Sequence, residues 1–194
     1  MKKCMIVLTL VNFMICSLTA QTEVGKYTEW KNTIDELEVI KPYNFTQRKI
    51  VYILPVETSE VALPQKNNDN YPIVTKILKN LSEIIAEEMQ NNLQKQGYTV
   101  KVADKIDFRD SEAIVIHLKW KELDLGSRAL RAWVGFGAGN AKFSTDGVVF
   151  DGNDEVIRFS QKRLSVMDTR KYEDLAKKGV KAIAQDLAKM VAKL

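Results

Sequence analysis

Few residues of this sequence have side chains suited to catalysis. His117 is the only histidine among the 194 residues, and the two cysteines, Cys4 and Cys16, lie near the amino terminus. Zinc sites and cysteine nucleophiles depend on His and Cys side chains. A catalytic triad would have to use His117, which lies among lysines in the middle of a predicted strand. We therefore expect a solvent-facing histidine, no metal site, no cofactor and no enzymatic activity.

Glycines recur in the segment 125–140 at positions that resemble part of a dinucleotide-binding fingerprint. Gly135, Gly137 and Gly139 alternate with other residues. The complete fingerprint needs a further glycine at position 140 and a helix directly after it. Position 140 is Asn140, and the residues that follow have the pattern of a strand. The spacing therefore argues against dinucleotide binding.

The same segment combines apolar, aromatic and arginine side chains, which favours a contact with another protein. Tryptophan and arginine are enriched at the energetic centres of interfaces, and an exposed apolar loop needs a partner. The alternative is that Trp133 and Phe136 pack back onto their own domain. The predicted contact loop consists of Arg128, Leu130, Arg131, Trp133, Val134, Gly135, Phe136, Gly137 and Gly139.

Two other functions stay open on the sequence alone. A small ligand or anion could occupy a pocket between the sheet and the loop Gly135–Gly139, held by successive backbone amides. A hydrolase is the third possibility, and it would depend on His117. A self-associating or partner-binding domain fits the missing catalytic residues better than either.

The first 20 residues have the features of a secretory signal peptide. Lys2 and Lys3 precede a mostly apolar run, and Ala20 is a small residue at the expected cleavage point. The run is short for a membrane-spanning helix, which needs about 20 mostly apolar residues. We expect export to the periplasm or the medium.

A lipid anchor on Cys16 is the alternative address, but the large Ile15 before it makes a poor lipid-attachment signal. Tethering to the outer membrane is therefore less favoured than soluble release. Cleavage after Ala20 would remove both cysteines and two lysines, so the formal net charge would fall from +4 to +2. A charge this small does not indicate nucleic-acid binding, although contact with a membrane surface stays open.

The remaining sequence predicts one α+β domain at residues 48–194, after an amino-terminal arm at 21–47. The arm has apolar residues at helical spacing, which favours a short helix: Tyr27, Trp30, Ile34 and Leu37. The domain reads β-α-β-β-β-β-α, which predicts a mainly antiparallel sheet of about five strands with two long helices on one face. In the third predicted strand of the domain, from Glu112 to Leu123, alternation places His117 on the face that points away from the core.

The stretch GSRALRAWVGFGAGNAKFSTDGVVFDGNDEVIRF, from Gly126 to Phe159, resembles an uncharacterised family of bacterial cell-envelope proteins, known as a domain of unknown function. Members are similar in an exported amino terminus, a Gly-Ser-Arg…Gly-Phe-Gly-Ala-Gly loop and a following strand hairpin. More distantly, the order of elements is similar to the periplasmic domain of curli-secretion lipoproteins and to the amino-terminal domain of the Tol translocation protein. The resemblance implies assembly with other envelope proteins and assigns no catalytic residue.

Overall fold

A computed structural model describes residues 22–45, 48–104, 113–126, 139–165 and 172–194. These residues form an α+β fold of seven strands and two helices. The strands are β1 (Gly25–Trp30), β2 (Ile34–Val39), β3 (Ile50–Ile53), β4 (Thr99–Val102), β5 (Ala113–Asp124), β6 (Ala141–Asp151) and β7 (Asp154–Ser165). The helices are α1 (Tyr71–Lys95) and α2 (Tyr172–Lys193).

All seven strands belong to one mixed sheet in the order β1-β2-β7-β6-β5-β3-β4. Strand β3 pairs in parallel with both β4 and β5, and the other neighbours are antiparallel. The α+β class and the two long helices are confirmed. The prediction of about five strands in a mainly antiparallel sheet differs in detail, because the hairpin β1–β2 adds two strands and α1 returns the chain beside β3 as a parallel crossover.

The predicted helix in the arm was wrong, because these residues form the hairpin β1–β2. Trp30 lies directly opposite Ile34, and Tyr27 lies opposite Leu37. Strand β2 then pairs with β7, so the hairpin extends the sheet at its far edge. Trp30, Ile34 and Leu37 are buried in this hairpin and not along one face of a helix.

Both helices pack on one face of the sheet, which we call the covered face. Helix α1 buries Val74, Ile77, Leu81, Ile85, Ala86, Met89 and Leu93, and α2 lies beside it. No helix in the described ranges is long and apolar enough to cross a membrane.

Strand β5 alternates as its sequence predicts. Ile114, Ile116, Leu118 and Trp120 are fully buried on the covered face. The indole Nε1 of Trp120 donates a hydrogen bond to Ser82 Oγ on α1 at 3.0 Å, which joins the helix to the sheet. His117, Lys119 and Lys121 lie on the opposite face, which we call the open face.

A buried polar network attaches α2 to strands β2 and β7. Gln161 Nε2 donates to Asp186 Oδ2 at 3.2 Å, and Arg163 Nε donates to the same oxygen at 2.8 Å. The backbone N–H of Asp35 in turn donates to Gln161 Oε1 at 3.0 Å. Buried polar groups are expensive to leave unpaired, so this chain of contacts fixes the hairpin relative to the helix.

Candidate functional site

The open face carries two transverse rows of mostly polar side chains across five strands. Residues directly opposite each other in neighbouring strands share a face, so the pairing registers define each row. The 117 row, from β5 to β1, is His117, Val148, Arg158, Glu38 and Lys26. The 119 row is Lys119, Asp146, Ser160, Glu36 and Thr28.

Glu57 is the residue to which the β5 end of both rows is connected. Its carboxylate lies 4.0 Å from His117 Nε2 and 3.9 Å from Lys119 Nζ. Ser59 Oγ donates a hydrogen bond to Glu57 Oε1 at 2.5 Å, and Lys119 also pairs with Glu60. The backbone of Glu57 bridges to Lys119 in a parallel sense, which places this segment beside β5.

These contacts favour the charged forms of both partners. The hydrogen bond from Ser59, together with the charges of Lys119 and His117, lowers the pKa of Glu57 below its usual value. The hydrogen bond with Glu60, followed by its charge and that of Glu57, raises the pKa of Lys119. The site therefore presents a stable carboxylate and a stable ammonium group at neutral pH.

Two shallow grooves meet at Glu57 and His117. The first, of about 550 Å³, crosses the open face along the two rows. The second, of about 520 Å³, lies at the carboxyl ends of β3 and β4 and is lined by Leu54, Pro55, Val56, Glu57, Thr58, Ser59, Asp104 and His117. Carboxyl ends of parallel strands often carry ligand sites, which makes this junction the candidate binding position.

The junction has the groups of a catalytic triad but not their order. In a triad the serine contacts the histidine. Here the Ser59 hydroxyl donates to Glu57, and His117 lies on the other side of that carboxylate. No set of three or more His, Cys, Asp or Glu side chains in the described part of the chain is placed to hold a metal ion.

The predicted contact loop lies outside the described residues except for Gly139. The structure does describe the stem from which the loop starts and to which it returns. Gly126 has a φ of +69°, and a Cβ atom there would overlap the carbonyl oxygen of Gly139. Leu125 and Ala141, which flank the stem, are fully buried. The two ends of the loop are thus held in backbone contact.

Asn70 fixes this stem to the start of α1. Its Nδ2 donates to the carbonyl oxygen of Gly126 at 2.6 Å and to Asp124 Oδ1 at 3.2 Å, while the Gly126 N–H donates to the same carboxylate oxygen at 2.8 Å. Asn70 is the N-cap residue of α1, but its side chain makes no capping hydrogen bond. A residue suited to capping instead fastens the base of the loop.

Alternation along β5 placed His117 on the open face, where the structure has it, but no feature of the sequence indicated that Glu57 and Asn70 organise the site. Glu57 sits in a polar segment whose approach to β5 depends on tertiary structure. Asn70 has a stronger local signal as a helix cap, which concealed its contact with Asp124, 54 positions away. Neither contact has a sequence motif.

The chain belongs to the DUF4410 family, a domain of unknown function, whose model matches residues 51–192. This confirms the coarser part of the resemblance, namely an uncharacterised family. The likenesses to the curli-secretion and Tol domains stay predictions. Comparison with curated protein sequences gave no match.

Among solved structures, the fold is similar to the PelC dodecamer from Paraburkholderia phytofirmans, with a TM-score of 0.45 and 10% identity over 77% of this chain and 96% of that one. It is also similar to a DUF330-family protein from Xanthomonas campestris, with a TM-score of 0.44 and 9% identity over 75% of this chain and 85% of that one. Likenesses at this level concern the fold and give no information on function.

Proposed function

We propose that this chain is an exported, non-enzymatic bacterial envelope domain that binds another protein through the contact loop. The signal-peptide pattern of residues 1–20 and the scarcity of catalytic side chains support this proposal. The observation that carries it is the loop stem. Gly126 and Gly139 meet in backbone contact, and the buried Asn70 fastens that point to α1.

A fixed stem is what a binding loop requires. Binding is weakened when a loop must be ordered on contact, so a loop whose two ends are already in place loses less entropy. Recognition residues commonly lie on loops that a rigid scaffold positions. Trp133 and Arg131 are of the types that contribute most to interfaces. The proposed location is the cell envelope, with release to the periplasm or to the medium.

We expect the double variant Trp133→Ala with Arg131→Ala to lose the proteins that the tagged parent captures from envelope extracts. Its melting temperature should change by no more than about 4 °C, because each of the two surface substitutions costs within about 0.5 kcal/mol. The measurement is quantitative mass spectrometry of captured proteins beside thermal unfolding by circular dichroism.

The matched control is Lys177→Glu, an exposed residue of α2 on the helical side of the fold. This variant should capture the same proteins as the parent. If the loop double variant unfolds, Trp133 and Arg131 belong to the core and the loop loses its assigned role.

A second candidate function is small-ligand binding at the junction of the two grooves. The observation that favours it is the meeting of Glu57, His117 and Ser59 at the carboxyl end of β3. Opposite charges at one position suit a ligand that carries both an acidic and a basic group, such as an amino acid or a short peptide.

A thermal-shift screen with amino acids, short peptides, inorganic anions and glycans tests this candidate. We expect a rise in melting temperature for the zwitterionic compounds, since a ligand at about 100 times its Kd adds about 2.7 kcal/mol. His117→Ala and Glu57→Gln should both remove the shift. Flat responses across the panel would eliminate the site, and a shift that survives both variants would place the ligand elsewhere.

A further inference from the structure

We propose that the open face is an isologous interface at which a second copy of this chain docks. The inference concerns residues other than the contact loop, so it does not depend on the loop's role. It rests on the sequence of charges and hydroxyls along the 117 and 119 rows. Each row is complementary in charge to the same row of a second copy taken in the opposite strand order.

The geometry follows from a two-fold axis parallel to the strands and midway between β6 and β7. Such an axis places each strand opposite the strand at the same distance on the other side, because neighbouring strands are evenly spaced at about 4.8 Å. Strand β5 then faces β2 of the second copy, and β6 faces β7. The segment at Glu57 faces β1. Because this rotation does not shift residues along the strand direction, each residue faces a residue of the same row in the second copy.

In the 119 row every acid then meets a cation or a hydroxyl. Lys119 faces Glu36 of the second copy, Asp146 faces Ser160, and Glu57 faces Thr28. Glu36 is exposed and has no ion pair within the described ranges, so its carboxylate is available to the second copy. No two like charges are opposed in this row.

The 117 row continues the pattern. His117 faces Glu38 of the second copy, and the half-buried Val148 faces the aliphatic part of Arg158. Lys26 pairs with Glu38 in the same chain at 3.5 Å, and Arg158 pairs with Glu155, so these long side chains are already oriented. Oriented side chains lose less entropy on association.

A face of this kind selects a second copy over other partners. It carries both signs of charge in balance, so it offers no net attraction to a strongly acidic or basic molecule. Its complementarity appears only when the row is inverted on itself, which is the operation of a two-fold axis. Two sheets that pack face to face in an aligned manner keep their strands within about 30°, so the rows stay matched near the axis.

Charge reversal tests this arrangement because the two partners lie at different positions of the same chain. Glu36→Lys alone and Lys119→Glu alone each oppose like charges at both symmetry-related contacts. An equimolar mixture restores both contacts, since Glu at 119 of one variant meets Lys at 36 of the other, and the native Lys119 meets the native Glu36. Only an interface between these two positions gives rescue on mixing.

The measurement is sedimentation velocity of the purified protein in about 0.1 M and in about 1 M salt. The screening length of charge interactions falls from about 10 Å to about 3 Å between these two concentrations. We expect a reversible dimer at the lower salt that dissociates at the higher. Each single variant should weaken self-association at least tenfold, a reduction of about 1.4 kcal/mol or more, and the mixture should recover it.

The control variants Lys177→Glu and Glu87→Lys change the same charges on exposed positions of the two helices and should leave the dimer intact. Circular dichroism verifies folding of each variant. Since Glu57 and Glu60 adjoin Lys119, Lys119→Gln, which removes the ion pair with Glu36 of the second copy without adding a carboxylate, replaces Lys119→Glu if that variant unfolds. A monomeric parent at the lower salt, or dimers in any face variant, overturns the proposal.

Discussion

Trp120→Ala is expected to lower the free energy of unfolding by about 3–5 kcal/mol, a large part of the total for a domain of this size. The indole is fully buried at the centre of the covered face. Its removal leaves a cavity between β5 and α1 and breaks the hydrogen bond to Ser82. Urea denaturation monitored by far-ultraviolet circular dichroism, a backbone signal that does not depend on the removed tryptophan, measures the loss.

Two variants separate the components of this effect. Trp120→Phe keeps most of the apolar volume and loses the hydrogen bond, so it should cost less than half as much. Lys121→Ala alters the next residue, whose exposed side chain pairs with Asp146 at 3.4 Å on the open face, and should cost about 0.5 kcal/mol or less. If Trp120→Ala costs under 1 kcal/mol, the helix does not depend on this contact.

The buried pattern of β5 was predictable because strand alternation is a local property. Ile114, Ile116 and Leu118 follow one another at a period of two, and each packs where that period places it. The long helices were predictable for the same reason, at a period near 3.6. What local periodicity cannot supply is the partner of each strand.

The hairpin β1–β2 shows how a local pattern misleads. Positions 27, 30, 34 and 37 have helical spacing, but they are also symmetric about residue 32, which is the centre of the turn. Lys31 and Asn32 adopt left-handed φ angles of 47° and 53°, as a tight hairpin turn of this type requires. The turn contains no glycine, so Asn32 is a weak local signal beside the helical spacing of the apolar residues.

The site residues divide in the same way. His117 was placed on the open face by alternation alone. Its neighbour Glu57 reaches it only because β3 lies parallel to β5 and carries the following segment along that strand. Parallel neighbours are distant in sequence, so the contact is a product of topology. The loop stem likewise joins positions that no motif links.

Gly126→Ala is expected to destabilise the protein by about 2–5 kcal/mol, with the largest structural effect at the base of the contact loop. Two costs add. An L-residue at a φ of +69° costs about 1–2 kcal/mol. The added Cβ would overlap the carbonyl oxygen of Gly139 and lie 2.7 Å from the carbonyl carbon of Asn140, and relieving such overpacking costs about 1–3 kcal/mol.

Gly152→Ala isolates the first cost from the second. Gly152 has a similar φ of +61° in the β6–β7 turn, but a Cβ atom there meets nothing within 4 Å. It should therefore lose only the conformational part, about 1–2 kcal/mol. Denaturation curves give both losses, and amide hydrogen exchange at Leu125, Gly139 and Asn140 shows whether the stem opens. Equal losses for the two variants would mean that the backbone at Gly126 and at Gly139, the two ends of the loop, is not in contact. The loop would then lack the fixed base on which its proposed role in binding depends.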